Sequence, residues 1–148
     1  LAPNYYVQDG VVPRSQLPEM MRRIAAISKE FNLTIANVFH AGDGNLHPNI
    51  LFDMRKPGEL ERVIEAGAAT LRACVELGGS ITGEHGVGME KKAYIGLLFN
   101  DADLAAMTRV RQAFDPDNRF NPAKLFPTPA SCGEVRLEPA KIPAGLWI

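Results

Sequence analysis

Histidine, cysteine and tryptophan are all scarce in this chain, with three, two and one copies among 148 residues. The cysteines, Cys74 and Cys132, show no CxxC spacing, so the reading they favour is a reduced, cytoplasmic protein rather than one stapled by disulfides. Charge of one sign is missing too. Sixteen basic residues stand against seventeen acidic ones, and no basic stripe offers a nucleic-acid backbone a track to follow. No apolar run approaches the ~18 residues of a membrane span, and no signal peptide is expected ahead of Leu1. The opening "LAPNYYVQDG" starts mid-phrase without methionine, and the chain is expected to be a piece of something longer. A composition 46% hydrophobic and 22% charged is that of a globular domain. At this length a chain buries roughly 70% of its unfolded surface and needs no staple.

Periodicity supplies the elements. "YYVQDGVV" is rich in aromatic and β-branched residues and predicts a strand ended by Pro13. Ser15 is the expected N-cap of a helix with Pro18 in its first turn, Met20, Ile24, Ile27 and Phe31 on its apolar face, and Asn32 at its end. "TIANVFHAGDGNLHPNILFD" predicts a hairpin, because Asp43-Gly44 is a strong two-residue turn signal. A second helix follows, with Leu60, Ile64, Leu71 and Val75 on its inner side and Gly78-Gly79 as the stop. "SITGEH" reads as a short strand. "NDADLAAMTRVRQAF" predicts a last helix, capped by Asn100 or Asp101 and halted before Asp115-Pro116. The order β-α-β-β-α-β implies an α+β, ferredoxin-like antiparallel sheet with helices on one face, extended by a C-terminal helix. Residues 1–127 form the expected domain, and 128–148 an extended tail.

All three histidines fall in two Gly-rich motifs. With Asp43 and Gly44 central to the turn, His40 faces His47 across the ladder. Directly opposed residues place their Cβ atoms ~5 Å apart on one face, close enough for two imidazoles to share a metal ion. Glu84, between two glycines in "GSITGEHGVG", is the third candidate ligand. Two histidines and a carboxylate leave coordination positions open for catalysis. Strand alternation would send Glu84 and His85 to opposite sides, which assigns the carboxylate to the metal and leaves His85 for proton transfer near neutrality. "GEHGVG" fits neither the GxGxxG nor the P-loop pattern. A metal-dependent hydrolase, or a non-catalytic ferredoxin-like module with incidental histidines, remains open on these residues alone.

Three motifs in order, "HAGDGNLHPNILFD", "GGSITGEHGVGMEKK" and "FDPDNRFNPAKLFP", resemble the C-terminal part of FAD-linked oxidases of the vanillyl-alcohol-oxidase type. The similarity is to the branch that includes the FAD-carrying subunits of bacterial glycolate oxidases, together with D-lactate and D-2-hydroxyglutarate dehydrogenases, and it runs from about Tyr5 to Pro127. It implies that His40, His47 and Glu84 bind a divalent metal (zinc, iron or manganese) and that His85 is the base. Asn45 is then expected near substrate or flavin, and Asn121 beside the flavin ring. The implied activity is flavin-dependent oxidation of a 2-hydroxy acid, with FAD held mainly by a separate N-terminal domain. The resemblance further implies an iron–sulfur partner subunit, a second flavin-type subunit, and a peripheral place at the inner membrane through them. Such relatives carry a basic anchor for the substrate carboxylate upstream of or near the first strand; here that strand has no lysine, and Arg14 follows only after Pro13.

Overall fold

The computed structural model describes residues 2–126; Cys132 and the expected tail 128–148 lie outside the described residues. Four strands make one antiparallel sheet: β1 (Asn4–Val7), β2 (Gly10–Val11), β3 (Thr34–His40) and β4 (Asn45–Phe52). β4 is central, with β3 along one edge and β1 and β2 in line along the other. The stretch expected as one strand is thus broken in two at Gln8 and Asp9, both buried. The break keeps one ladder bond, Gln8 N–H to the Pro48 carbonyl at 3.0 Å.

Helix α1 (Leu17–Glu30) starts one residue later than Ser15 capping would give, because a 3₁₀ turn at Arg14–Gln16 leads into it. Gln16, its N-cap, makes no side-chain cap bond. The inner face is as expected, with Met20, Ile24 and Ile27 buried, and Asn32 closes the helix at φ 49°. Helix α2 (Glu59–Glu76) is turned relative to the expected stripe. Val63, Ala66, Gly67, Thr70, Leu71 and Cys74 are buried, whereas Leu60, Ile64 and Val75 are only partly so. The reason is close approach rather than hydrophobic bulk. A Cβ at Gly67 would stand 2.7 Å from Gln8 Nε2 and 2.9 Å from Tyr6 Cε1, so small residues let α2 lie against the strand break.

Leu46, Ile50 and Phe52 of β4 meet Met20, Ile24 and Ile27 of α1 and Val63, Ala66 and Cys74 of α2 in two adjoining clusters. Fully burying one such side chain contributes about 1.5–3 kcal/mol. Both helices therefore cover the even-numbered face of β4, and this is the α+β arrangement read from the sequence. The odd-numbered face, with Asn45, His47 and Asn49, carries no helix of that pair.

The strand expected at "SITGEH" is reduced to a single antiparallel bridge between Ser80 and Val11, closed by bonds of 2.9 and 3.1 Å. The next backbone donors are taken elsewhere: the N–H groups of Gly83, Glu84 and His85 all bond the Asp9 carboxylate. A chain whose donors converge on one side chain cannot also run as a ladder. Helix α3 (Asp101–Phe114) begins at Asn100 with a complete capping box and buries none of its own residues.

Candidate functional site

The hairpin between β3 and β4 differs from the two-residue turn in an instructive way. His40 pairs with Asn45, and Val38 pairs with His47, so four residues, 41–44, form the loop. A type I′ turn needs positive φ at both central residues. Gly44 has it, at 75°, and Asp43 does not. Asp43 and Gly44 instead both donate their N–H to the His40 carbonyl at 3.0 Å. A slip of one residue would have put the two histidines on opposite faces. This change of register preserves the face, and His40 and His47 become diagonal rather than opposed neighbours. Their rings meet edge-on with centroids 5.4 Å apart. Only glycine fits at 44, since a Cβ there would collide with the Val12 carbonyl oxygen.

Glu84 and His85 reach the same place from the loop after the Ser80 bridge. Glu84 Oε1 lies 3.1 Å from His47 Nε2, 3.8 Å from His40 Nε2 and 3.8 Å from His85 Nε2. The His85 ring stacks on His47 at 5.0 Å and 17°. All three imidazoles thus surround one carboxylate oxygen. The expectation that Glu84 and His85 diverge does not hold, because the segment is a loop wound around Asp9 and strand alternation does not apply to it.

Among the described residues, two overlapping sets of donor atoms lie within 4.8 Å of one another: His40, His47 and Glu84, and Asp9, His47 and His85. Donors sharing a tetrahedral zinc ion at ~2.0–2.1 Å stand roughly 3.3 Å apart, so the first set is close to ready-made. His47 is nearly buried, whereas the other two residues of that set are about half exposed and open to a small ligand.

Electrostatics tie the site to Asp9, which sequence reasoning missed. Its side chain is fully buried. Burial opposes its charge, but the Thr82 hydroxyl at 2.7 Å, the N–H groups of His85 and Glu84, and the Lys91 ammonium hold the carboxyl well below its ordinary range. Lys91 is buried against it, donating to the Asp9 carbonyl at 2.8 Å and to Oδ2 at 3.3 Å. Burial pulls the Lys91 ammonium below its usual pKa, and Asp9 offsets this only in part. The available signal was Gln8-Asp9, two adjacent polar residues inside a strand pattern and followed by glycine.

Asn45 is buried beside His47's strand neighbours, and its Oδ1 has no hydrogen-bond partner among the described residues. Asn121 is exposed at φ 45°, and no described hydrogen bond or ring contact joins it to the histidines. Its segment does return toward the loop that bears Glu84: Leu125 N–H bonds the Gly88 carbonyl at 3.0 Å.

A family model for FAD linked oxidases, C-terminal domain, matches residues 1–125. The glycolate oxidase subunit GlcD of Escherichia coli (strain K12) is 48% identical over 134 residues, spanning 90% of this chain and 27% of that protein. GlcD of Bacillus subtilis (strain 168) is 42% identical, over 85% of this chain and 27% of that one. A mitochondrial D-lactate dehydrogenase [cytochrome] of Arabidopsis thaliana is 31% identical, over 82% and 21%. The chain therefore spans about a quarter of the length of these relatives, and the resemblance read from the three motifs is borne out.

Proposed function

The chain belongs to the FAD linked oxidases, C-terminal domain family, and from that premise we propose that it is the substrate- and metal-holding part of a flavin-dependent 2-hydroxy-acid dehydrogenase or oxidase. Glycolate or a D-lactate-like acid is the substrate class. The observation that carries this reading is the convergence of His40, His47 and His85 on Glu84 Oε1, on the sheet face that α1 and α2 leave uncovered. The relatives named for glycolate and for D-lactate support the choice of substrate.

The chemistry of the donors argues for a cation. A neutral imidazole has one N–H and one lone pair. His47 has the Asp9 carboxylate on its Nδ1 side, at 3.9 Å, and the Glu84 carboxylate on its Nε2 side, at 3.1 Å. A neutral His47 therefore turns a lone pair toward one of two anions, unless a positive charge sits between Nε2 and Glu84. His40, His47 and Glu84 would hold a divalent zinc, iron or manganese ion, whose charge favours loss of the proton from a 2-hydroxyl group. FAD, held mainly by the rest of a longer protein, supplies the hydride acceptor.

This chain's own residues do the remaining work. His85 Nε2, half exposed and steadied by its stack on His47, takes the hydroxyl proton. Asn45, buried on β4 with an amide oxygen that has no hydrogen-bond partner among the described residues, would stand near the substrate or flavin. Asn121 would lie beside the flavin when the flavin domain is present. An iron–sulfur subunit and a second flavin-type subunit carry the electrons onward, and they hold an otherwise cytoplasmic protein at the inner membrane.

The test is anaerobic mixing of the full-length protein with glycolate or D-lactate while flavin absorbance is followed. Bleaching is expected, slowed ~10²–10⁴-fold in His85→Asn with metal content retained. A protein without flavin, or with flavin that no 2-hydroxy acid reduces, would overturn the reading and return the hydrolase alternative.

A further inference from the structure

Asp9 sits on neither motif, yet it touches both the loop that carries Glu84 and His85 and the ring of His47. Its Oδ2 accepts from Thr82 Oγ1 at 2.7 Å, from the Gly83 and His85 N–H groups at 3.0 Å, and from Lys91 Nζ at 3.3 Å. Its Oδ1 accepts from Glu84 N–H at 3.2 Å and faces His47 Nδ1 at 3.9 Å. That nitrogen is buried and has no hydrogen-bond partner among the described residues. Few side chains bond four consecutive residues of a loop from more than seventy positions away.

We infer that Asp9 is the positioning residue of this site: its carboxylate folds the Thr82–His85 loop onto the hairpin and keeps the proton of His47 on Nδ1, so that the lone pair of Nε2 faces Glu84 and a cation. This rests on the functional reading above. Both the loop and the tautomer depend on this carboxylate. Without a common acceptor, three adjacent N–H groups would have to find other partners, and the loop would not hold Glu84 3.1 Å from His47. A carboxylate beside Nδ1 repels a lone pair there, which selects the tautomer. Carboxylate partners behind metal-binding imidazoles have this effect, and their removal costs ~10–100-fold in metal affinity.

Asparagine is the informative replacement. Oδ2 has the most donors, so the amide oxygen of Asp9→Asn takes that place and the amide NH₂ takes the place of Oδ1. It then opposes Glu84 N–H and offers a proton to His47 Nδ1, favouring the tautomer whose Nε2 has no lone pair. Asp9→Asn also strands the buried Lys91 charge, and the variant could unfold for that reason alone. Asp9→Asn combined with Lys91→Met removes both charges and separates the two effects.

The experiment compares wild type, Asp9→Asn, the double variant and His47→Ala in the full-length protein. Zinc affinity is read by competition with a chromophoric chelator, and unfolding in chelator-treated protein by heat. The His47 tautomer is read from ¹⁵N shifts of histidine-labelled, zinc-free protein. The expected result is a double variant that melts near wild type, binds zinc ~10–100-fold more weakly, and loses the Nδ1–H signature. A folded double variant with wild-type affinity and tautomer would reduce Asp9 to an ordinary structural residue and overturn the proposal. Should wild type itself bind no zinc that His47→Ala abolishes, the functional reading fails. The tautomer comparison then decides the proposal by itself.

Discussion

Replacing Gly83 by alanine asks how closely the two halves of the site are fitted. Gly83 does not have a positive φ, so alanine adds no dihedral strain there and the folded-state effect is steric. An added Cβ would lie 2.6 Å from Asn45 Cγ and 2.9 Å from Asn45 Nδ2. Comfortable carbon contacts lie at about 3.5–4.0 Å, so something must move by roughly 1 Å. Asn45 is buried on the central strand, opposite His40, and has little room to yield. The loop therefore retreats and takes Glu84 with it, stretching the 3.1 Å approach to His47. Overpacking of this kind costs about 1–3 kcal/mol, and an equal loss in binding is at least ~5-fold in zinc affinity. Urea unfolding and zinc competition should register both. Asn45→Ala removes the obstructing amide, so the two changes together should show a coupling of about 0.5–3 kcal/mol. Gly42→Ala is the control, since its Cβ would meet nothing within 4 Å. Wild-type stability and affinity in Gly83→Ala, or strict additivity with Asn45→Ala, would refute the reasoning.

Two further predictions concern stability. Burial pushes the Cys74 thiol up to about 12 from an ordinary 9, with Lys91 pulling down and Asp9 pushing up by smaller amounts. A raised pKa in the folded state gives stability that is complete below pH 9 and lost as pH rises toward 12. At ~1.4 kcal/mol per unit this reaches about 4 kcal/mol, and Cys74→Ala should flatten the alkaline limb of the unfolding curve by that order. A limb of unchanged slope would show that Cys74 is already solvated. Asn100→Ala removes a cap in which Oδ1 accepts from Ala102 N–H at 2.9 Å and Asp103 N–H at 3.0 Å. The expected cost is about 1 kcal/mol in urea unfolding, and no change at all would mean that α3 does not unfold with the rest.

How much of this could be read beforehand depended on the kind of interaction. The inner faces of α1 and β4 were legible because large apolar residues recur at 3.6- and 2-residue periods. The buried side of α2 was legible only at Leu71, since much of the rest is Ala66, Gly67, Thr70 and Cys74, whose value is that they are small. The histidine pair was placed on the correct face by the wrong turn, because Asp43 keeps negative φ and the loop absorbs two more residues. Glu84 and His85 were found from their motif, but their shared direction was not. It is set by Asp9, more than seventy residues earlier, and no local pattern encodes a contact at that range. Lys91 escaped notice for the same reason: one lysine of "MEKK" is buried and the rest of the run looks like a solvated surface.

Binding of a divalent metal ion by His40, His47 and Glu84 is tested most directly by elemental analysis of metal per chain in the full-length protein and in His47→Ala. Close to one ion per chain is expected in the native protein and none in the variant. Equal metal in both, or none in either after remetallation, would contradict it.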